Sequence, residues 1–88
     1  MKVIEGYVAN NTGLTSRLSV ALVDQANKFK SNININVLDE NADLKSIMNV
    51  MALVVPHGES FTIEIEGDDE DLAASRFETF LQELKLVK

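Results

Sequence analysis

Thr15, Ser16 and Arg17 stand where the polar turn of "NNTGLTSRLSVALVDQANKF" runs into an amphipathic segment. A helix that begins there collects unpaired backbone N–H groups and the positive end of its dipole. That mouth suits an anion such as phosphate, and Arg17 would reinforce it. None of the three is an obvious nucleophile or base. Ser46, immediately before "IMNVMAL", takes the N-cap position of a second helix, where its hydroxyl accepts from a first-turn N–H. A kinase acting there would place a charge of about −1.5 to −2 on the helix's positive end, changing the surface rather than the fold. The single histidine, His57, lies in "VVPHGES". After a proline and without a partner to activate it, it reads as a solvated loop residue.

The bulk properties narrow the chemistry. A chain of 88 residues is one domain, 1–88, able to bury roughly 60–65% of its unfolded surface and to fold without covalent staples. It has no cysteine, which removes disulfides, thiolate catalysis and cysteine-based zinc sites. With one histidine a metal site is a poor expectation, and no cofactor is implied. The formal charge of −6 opposes direct binding of nucleic acid or an anionic membrane, both of which need a basic patch. "MKVIEGYVAN" is too short and polar for a signal sequence, and no apolar run approaches the ~20 residues that span a bilayer. The expectation is a cytoplasmic protein whose partners are proteins.

The elements that must carry Thr15, Arg17 and Ser46 follow from periodicity. "SFTIEIEG" alternates with Phe61, Ile63 and Ile65 on one side, and Asn32 to Val37 alternates with Ile33, Ile35 and Val37 on one side. Both are strands of a sheet with one wet face. "KVIEGYV" is a third strand with Ile4 and Val8 inward and Gly6 weakening its middle, and a short fourth follows the "LDEN" turn around Ala42 to Leu44. Three helices complete the set. Leu18, Leu22, Ala26 and Phe29 form the inward stripe of the first. Val50, Leu53 and Val54 form that of the second, which Pro56 stops. In the third, "DDED" sets acids at the positive end, ahead of Ala73, Phe77, Phe80, Leu81 and Leu84 on one face. The order βαββαβα predicts an α+β domain whose helices cover one face of a four-stranded antiparallel sheet.

Two helices carry more apolar surface than those stripes use. Val20 and Val23 on the first, and Ile47, Met48 and Met51 on the second, fall off the inward face. One such residue is ordinarily part of a wider core. Five together, with adaptable methionines among them, point to a protein-docking patch beside Arg17.

The turn "NNTGL" with Arg17 after it, then "ANKFKSNI", "LKSIMNVMAL" and "IEGDDEDLA", together resemble the HPr family of the bacterial sugar phosphotransferase system over nearly the whole chain. The family pattern is Gly-Leu-His-x-Arg-Pro. Here it reads Gly13-Leu14-Thr15-Ser16-Arg17-Leu18, so threonine stands at the phosphate-accepting position and leucine at that of the proline. An unactivated hydroxyl is a weak nucleophile whose ester would not pass phosphate onward, unlike a phosphorylated imidazole. The resemblance therefore implies a lost carrier function and a degenerate carrier site at Thr15 and Arg17. Leu18 also alters the first helical turn, because proline presets the backbone there.

What the resemblance retains is regulatory. In HPr-like proteins of certain Gram-positive bacteria, HPr kinase/phosphorylase phosphorylates a serine corresponding to Ser46, and the product joins a LacI-type catabolite repressor as corepressor. The histidine-lacking Crh branch does this with glutamine at the position of Thr15, so the resemblance to Crh is one of function, and a separate histidine-lacking branch is the equal alternative. Carried across, Ser46 is the phosphoacceptor, Arg17 a phosphate or partner contact, and Val20, Val23, Ile47, Met48 and Met51 the docking patch. Asp24 on that face and Asp43 near Ser46 would repel a phosphate or an acidic partner. A second reading is an unphosphorylated decoy or scaffold that binds phosphotransferase-system proteins through the docking patch and does not need the serine. A third makes His57 a displaced acceptor. Exchange of the first strand between two copies would give a homodimer, a hazard of small domains with exposed sheet edges.

Overall fold

The structure is a computed structural model that describes residues 1–10 and 13–88. Asn11 and Thr12, which form part of the expected "NNTGL" turn, lie outside the described residues. The chain runs β1 (Lys2–Tyr7), α1 (Ser16–Ala26), β2 (Asn32–Val37), β3 (Glu40–Asp43), α2 (Ile47–Met51), β4 (Ser60–Glu66) and α3 (Glu70–Glu83). All pairings are antiparallel and the strand order is β1-β4-β2-β3. This is the expected βαββαβα sheet with three helices. β3 begins two residues earlier than the sequence suggested, because Val37↔Glu40 closes the hairpin.

Register explains the core. Ile4, Ile63, Ile35 and Ala42 lie side by side across the four strands, and Ile65 sits beside Ile33. All of these residues are buried. Period-2 alternation then leaves Glu5, Thr62, Glu64, Asn34 and Asn36 on the opposite side of the sheet. Gly6 pairs with Phe61, and a Cβ at Gly6 would overlap the Phe61 ring. The glycine that weakens β1 by propensity is thus the space that Phe61 occupies. On the apolar side, α3 packs against β1 and β4, while α2 packs against β3 and α1. Leu22, Ala26, Ala73, Phe77 and Leu81 are buried there as expected, with Leu18, Phe29, Phe80 and Leu84 half-buried against them.

The stripe assigned to the second helix is corrected in part. Val50 is buried and Leu53 half-buried, but Val54 is exposed. The helix ends at Met51 with Ala52 as its cap, so the i+4 step from Val50 to Val54 no longer follows a helical path. Val55 takes the buried place instead.

The acids of "DDED" divide their work. Glu70 and Asp71 lie in the first turn of α3, where the dipole favours them. Asp69 is the N-cap by position but makes no cap hydrogen bond. Its carboxylate instead accepts from Lys30 N (2.8 Å), Ser31 N (2.9 Å) and the Ser31 hydroxyl, tying the start of β2 to the start of α3. The Ser31 hydroxyl and then the Lys30 amide hold the Asp69 carboxyl below its ordinary value of 3.8. A carboxylate whose folded pKa is depressed gives its full stabilisation above the unfolded value and loses it as pH falls through the folded one. Melting temperature should therefore drop as pH is lowered from 3.8. The variant Asp69→Asn should melt lower than the parent at neutral pH and lose less on acidification. Equal acid slopes in paired thermal melts would show that the Asp69 carboxylate does not carry the linkage.

Candidate functional site

Two helix starts, one from α1 and one from α2, frame the candidate site. At the first, Thr15 is the N-cap of α1, in extended conformation, and its Oγ1 accepts from Leu18 N at 3.3 Å. The hydroxyl that sequence considered as a degenerate acceptor therefore has a structural occupation. Leucine makes this bond feasible, since a proline at 18 would have no N–H to give. The two departures from the Gly-Leu-His-x-Arg-Pro pattern thus meet in one hydrogen bond. Arg17 is exposed, and among the described residues the ion pairs are Met1 with Glu70 and Lys2 with Asp71, so its guanidinium faces solvent without a carboxylate partner.

At the second, Ser46 is half-buried and caps α2, its Oγ accepting from Asn49 N at 3.4 Å. The approach to it is pinned on both sides. Ser46 N donates to Asp43 O (3.0 Å), and Lys45 N donates to Asp43 Oδ1 (2.9 Å). Asn27 Nδ2 donates to Lys45 O at 3.2 Å, and Lys45 Nζ donates to Phe29 O at 2.7 Å. The ammonium of "KSIM" is thus occupied by the end of the α1 segment. Asp43, expected to repel a phosphate, directs its carboxylate to the Lys45 amide, and Asp24 is exposed.

The proposed patch separates into three parts. Met48 (81% exposed), Met51 (53%) and Val20 (45%) are solvent-facing, as expected. Ile47 is half-buried against the core. Val23 is 7% exposed and belongs to the core, which removes it from a docking surface. α1 packs against α2, and its buried face is wider than the expected stripe, taking in Ser19, Val23 and Gln25 beside Leu22 and Ala26. Val54, 76% exposed, extends the outward surface. Sequence missed it because helical periodicity was carried past the helix end.

His57 is exposed in the loop after α2, and that loop reaches the mouth of α1. Leu14 N donates to Val55 O at 2.9 Å, and His57 lines a shallow depression with Gly13, Leu14 and Val54. Gly13 has φ of 75°, and a Cβ there would come 2.8 Å from Val55 O. Glycine is required for both reasons, left-handed backbone and close approach. His57 is thus beside Gly13 and Leu14, just ahead of α1, which its place in sequence did not imply. Among the described residues no cluster of His, Asp or Glu could hold a metal ion, and no helix is long and apolar enough to cross a membrane.

Comparison with known proteins gives one consistent result. Residues 4–83 match the PTS-HPr model, described as the PTS HPr component phosphorylation site. The phosphocarrier protein HPr of Lysinibacillus sphaericus is 36% identical over 88 residues, covering 100% of both chains. Among solved structures, the mycoplasma histidine-containing phosphocarrier protein superposes with a TM-score of 0.92 at 32% identity, covering 99% of each chain. Crh of Bacillus subtilis, reported as an intertwined dimer with a swapped domain, gives a TM-score of 0.71 at 32% identity, over 84% of this chain and 85% of its own.

The burial of the patch residues generates a separation that melts can read. Val23→Ala should cost roughly 1–3 kcal/mol by leaving a cavity under α1. Met48→Ala and Met51→Ala should each stay within about 0.5 kcal/mol, as exposed positions do. Denaturant unfolding of the three variants checks this, and a large loss for either methionine would place it in the core.

Proposed function

The chain belongs to the HPr family of the phosphotransferase system, and we propose that within it the protein is a regulatory member, not an enzyme and not a phosphate carrier, acting in the cytoplasm. Ser46 is the switch. HPr kinase/phosphorylase adds phosphate there, and the product acts as corepressor with a LacI-type catabolite repressor. The observation that carries this reading is the pairing of a threonine cap at position 15, which leaves no imidazole for carrier chemistry, with a hydroxyl at Ser46 beside exposed Met48 and Met51. Phosphate on Ser46 would supply a charge for an arginine or lysine of the partner, while Met48, Met51 and Val20 supply apolar anchors, with Arg17 at the rim. This assignment resembles the Crh branch in lacking the histidine.

A second reading is favoured by the same methionines. A surface that exposed can dock phosphotransferase-system proteins with no phosphate on Ser46, as a decoy or scaffold. The Crh relative also suggests self-association. β1 is an edge strand, and its exchange between two copies would keep the β1–β4 register while joining them.

HPr kinase with ATP should add one acid-stable phosphate, absent in Ser46→Ala, and the phosphorylated form alone should bind the repressor in calorimetric titration. Binding by the unphosphorylated form with equal affinity would put the scaffold reading first. Phosphate mapped to Thr12, Thr15 or Ser16 would overturn the assignment of Ser46. In a separate test, phosphoenolpyruvate and the first enzyme of the system should leave the mass unchanged. An acid-labile adduct on His57 would instead make that residue a displaced acceptor.

A further inference from the structure

Away from both helix starts, an open groove runs between the C-terminal end of the α1 segment and the outer face of α3. At about 690 Å3 it falls in the size range of small-molecule sites. Its walls differ from the rest of this acidic surface. Lys28, just past α1, and Arg76, on α3, both line it, and neither belongs to the ion pairs found among the described residues. Glu83 is the one acid in the lining, a helix turn and more beyond Arg76. Phe29 and Phe80, both half-buried, and Leu72, 53% exposed, give it an apolar floor.

Gln25 adds an independent observation. It lines the same groove and is only 9% exposed, yet its amide makes no hydrogen bond to any described residue. Among the described residues no wholly buried side-chain polar atom lacks a partner, so the Gln25 amide, which has no protein partner, keeps contact with solvent beside the groove it lines. A polar side chain held this deep is normally satisfied by a partner. Here that partner is water where the amide meets solvent, and a ligand seated in the groove can take its place.

We propose that this groove binds a small organic anion, its phosphate or carboxylate head held by Lys28 and Arg76, its apolar body on Phe29, Phe80 and Leu72, and a polar atom of it hydrogen-bonded to the Gln25 amide. Two unpaired cations beside an apolar floor recognise a head and a body together. Neither half alone should suffice on a protein of net charge −6, which repels free anions at long range. The site does not depend on the Ser46 switch.

The test is a titration of the whole folded chain followed by amide chemical shifts. The probes are phenyl phosphate and phenylacetate, with inorganic phosphate as head alone and benzyl alcohol as body alone. At least one organic anion should saturate with a Kd on the order of 1 mM, moving the amides of Gln25, Phe29, Arg76 and Thr79, and should bind roughly tenfold more tightly than either half. Which of the two binds tighter identifies the head. The double variant Lys28→Gln, Arg76→Gln, at exposed positions that leave the melting temperature unchanged, should weaken binding roughly tenfold. Gln25→Glu, nearly isosteric, should weaken it further by repelling the anion. Shifts centred elsewhere, equal affinity for inorganic phosphate, or binding indifferent to the double variant would each overturn the proposal.

Discussion

Every inward side chain of the sheet takes its place from β4. This strand pairs with β1 on one edge and β2 on the other, although it follows both by more than twenty residues in sequence. Its alternation of Phe61, Ile63 and Ile65 is therefore read twice, once against Gly6, Ile4 and Lys2 and once against Ile35 and Ile33. A slip of one residue on either side would turn three large apolar side chains into solvent and bring Thr62 and Glu64 inward. Both helix starts hang from the strands that β4 aligns. Thr15 follows β1, Ser46 follows β3, and β3 is held through β2.

The loops complete what the register begins. The carboxylate of Asp69 joins the chain leaving α1 to the chain entering α3, and Lys45 reaches back to Phe29 O. These bonds link segments that lie far apart in sequence, and they fix the ends of helices that are too short or too polar to hold by themselves. In the five-residue α2 the helix owes its position to Val50 in the core and to the pinned residues before Ser46, not to propensity.

Much of this was legible beforehand because the signals are local. Alternation in β2 and β4, the α1 and α3 stripes, and the hydroxyl cap at Ser46 each depend on neighbours within a turn or two. What sequence misread depends on context that periodicity does not contain. Val23 is buried because the inward face of α1 is wider than its stripe. Val54 is exposed because α2 stops before it. Asp69 looked like one of several acids serving a helix dipole, and nothing local indicated that its partners would be Lys30 and Ser31. Gln25 gave no signal at all, since an isolated glutamine on a helix is ordinarily at the surface.

The bond between Thr15 Oγ1 and Leu18 N has a consequence beyond its strength. It makes the two positions epistatic. With leucine at 18, a change to histidine at 15 weakens the cap, because histidine is outside the group of residues favoured there. A change to proline at 18 alone removes the donor and leaves the threonine idle. Neither single step reaches the Gly-Leu-His-x-Arg-Pro pattern without passing through a helix start worse than the present one. A chain with the threonine–leucine pair is thus held at it as by a ratchet, because the folding of α1 resists either change taken alone.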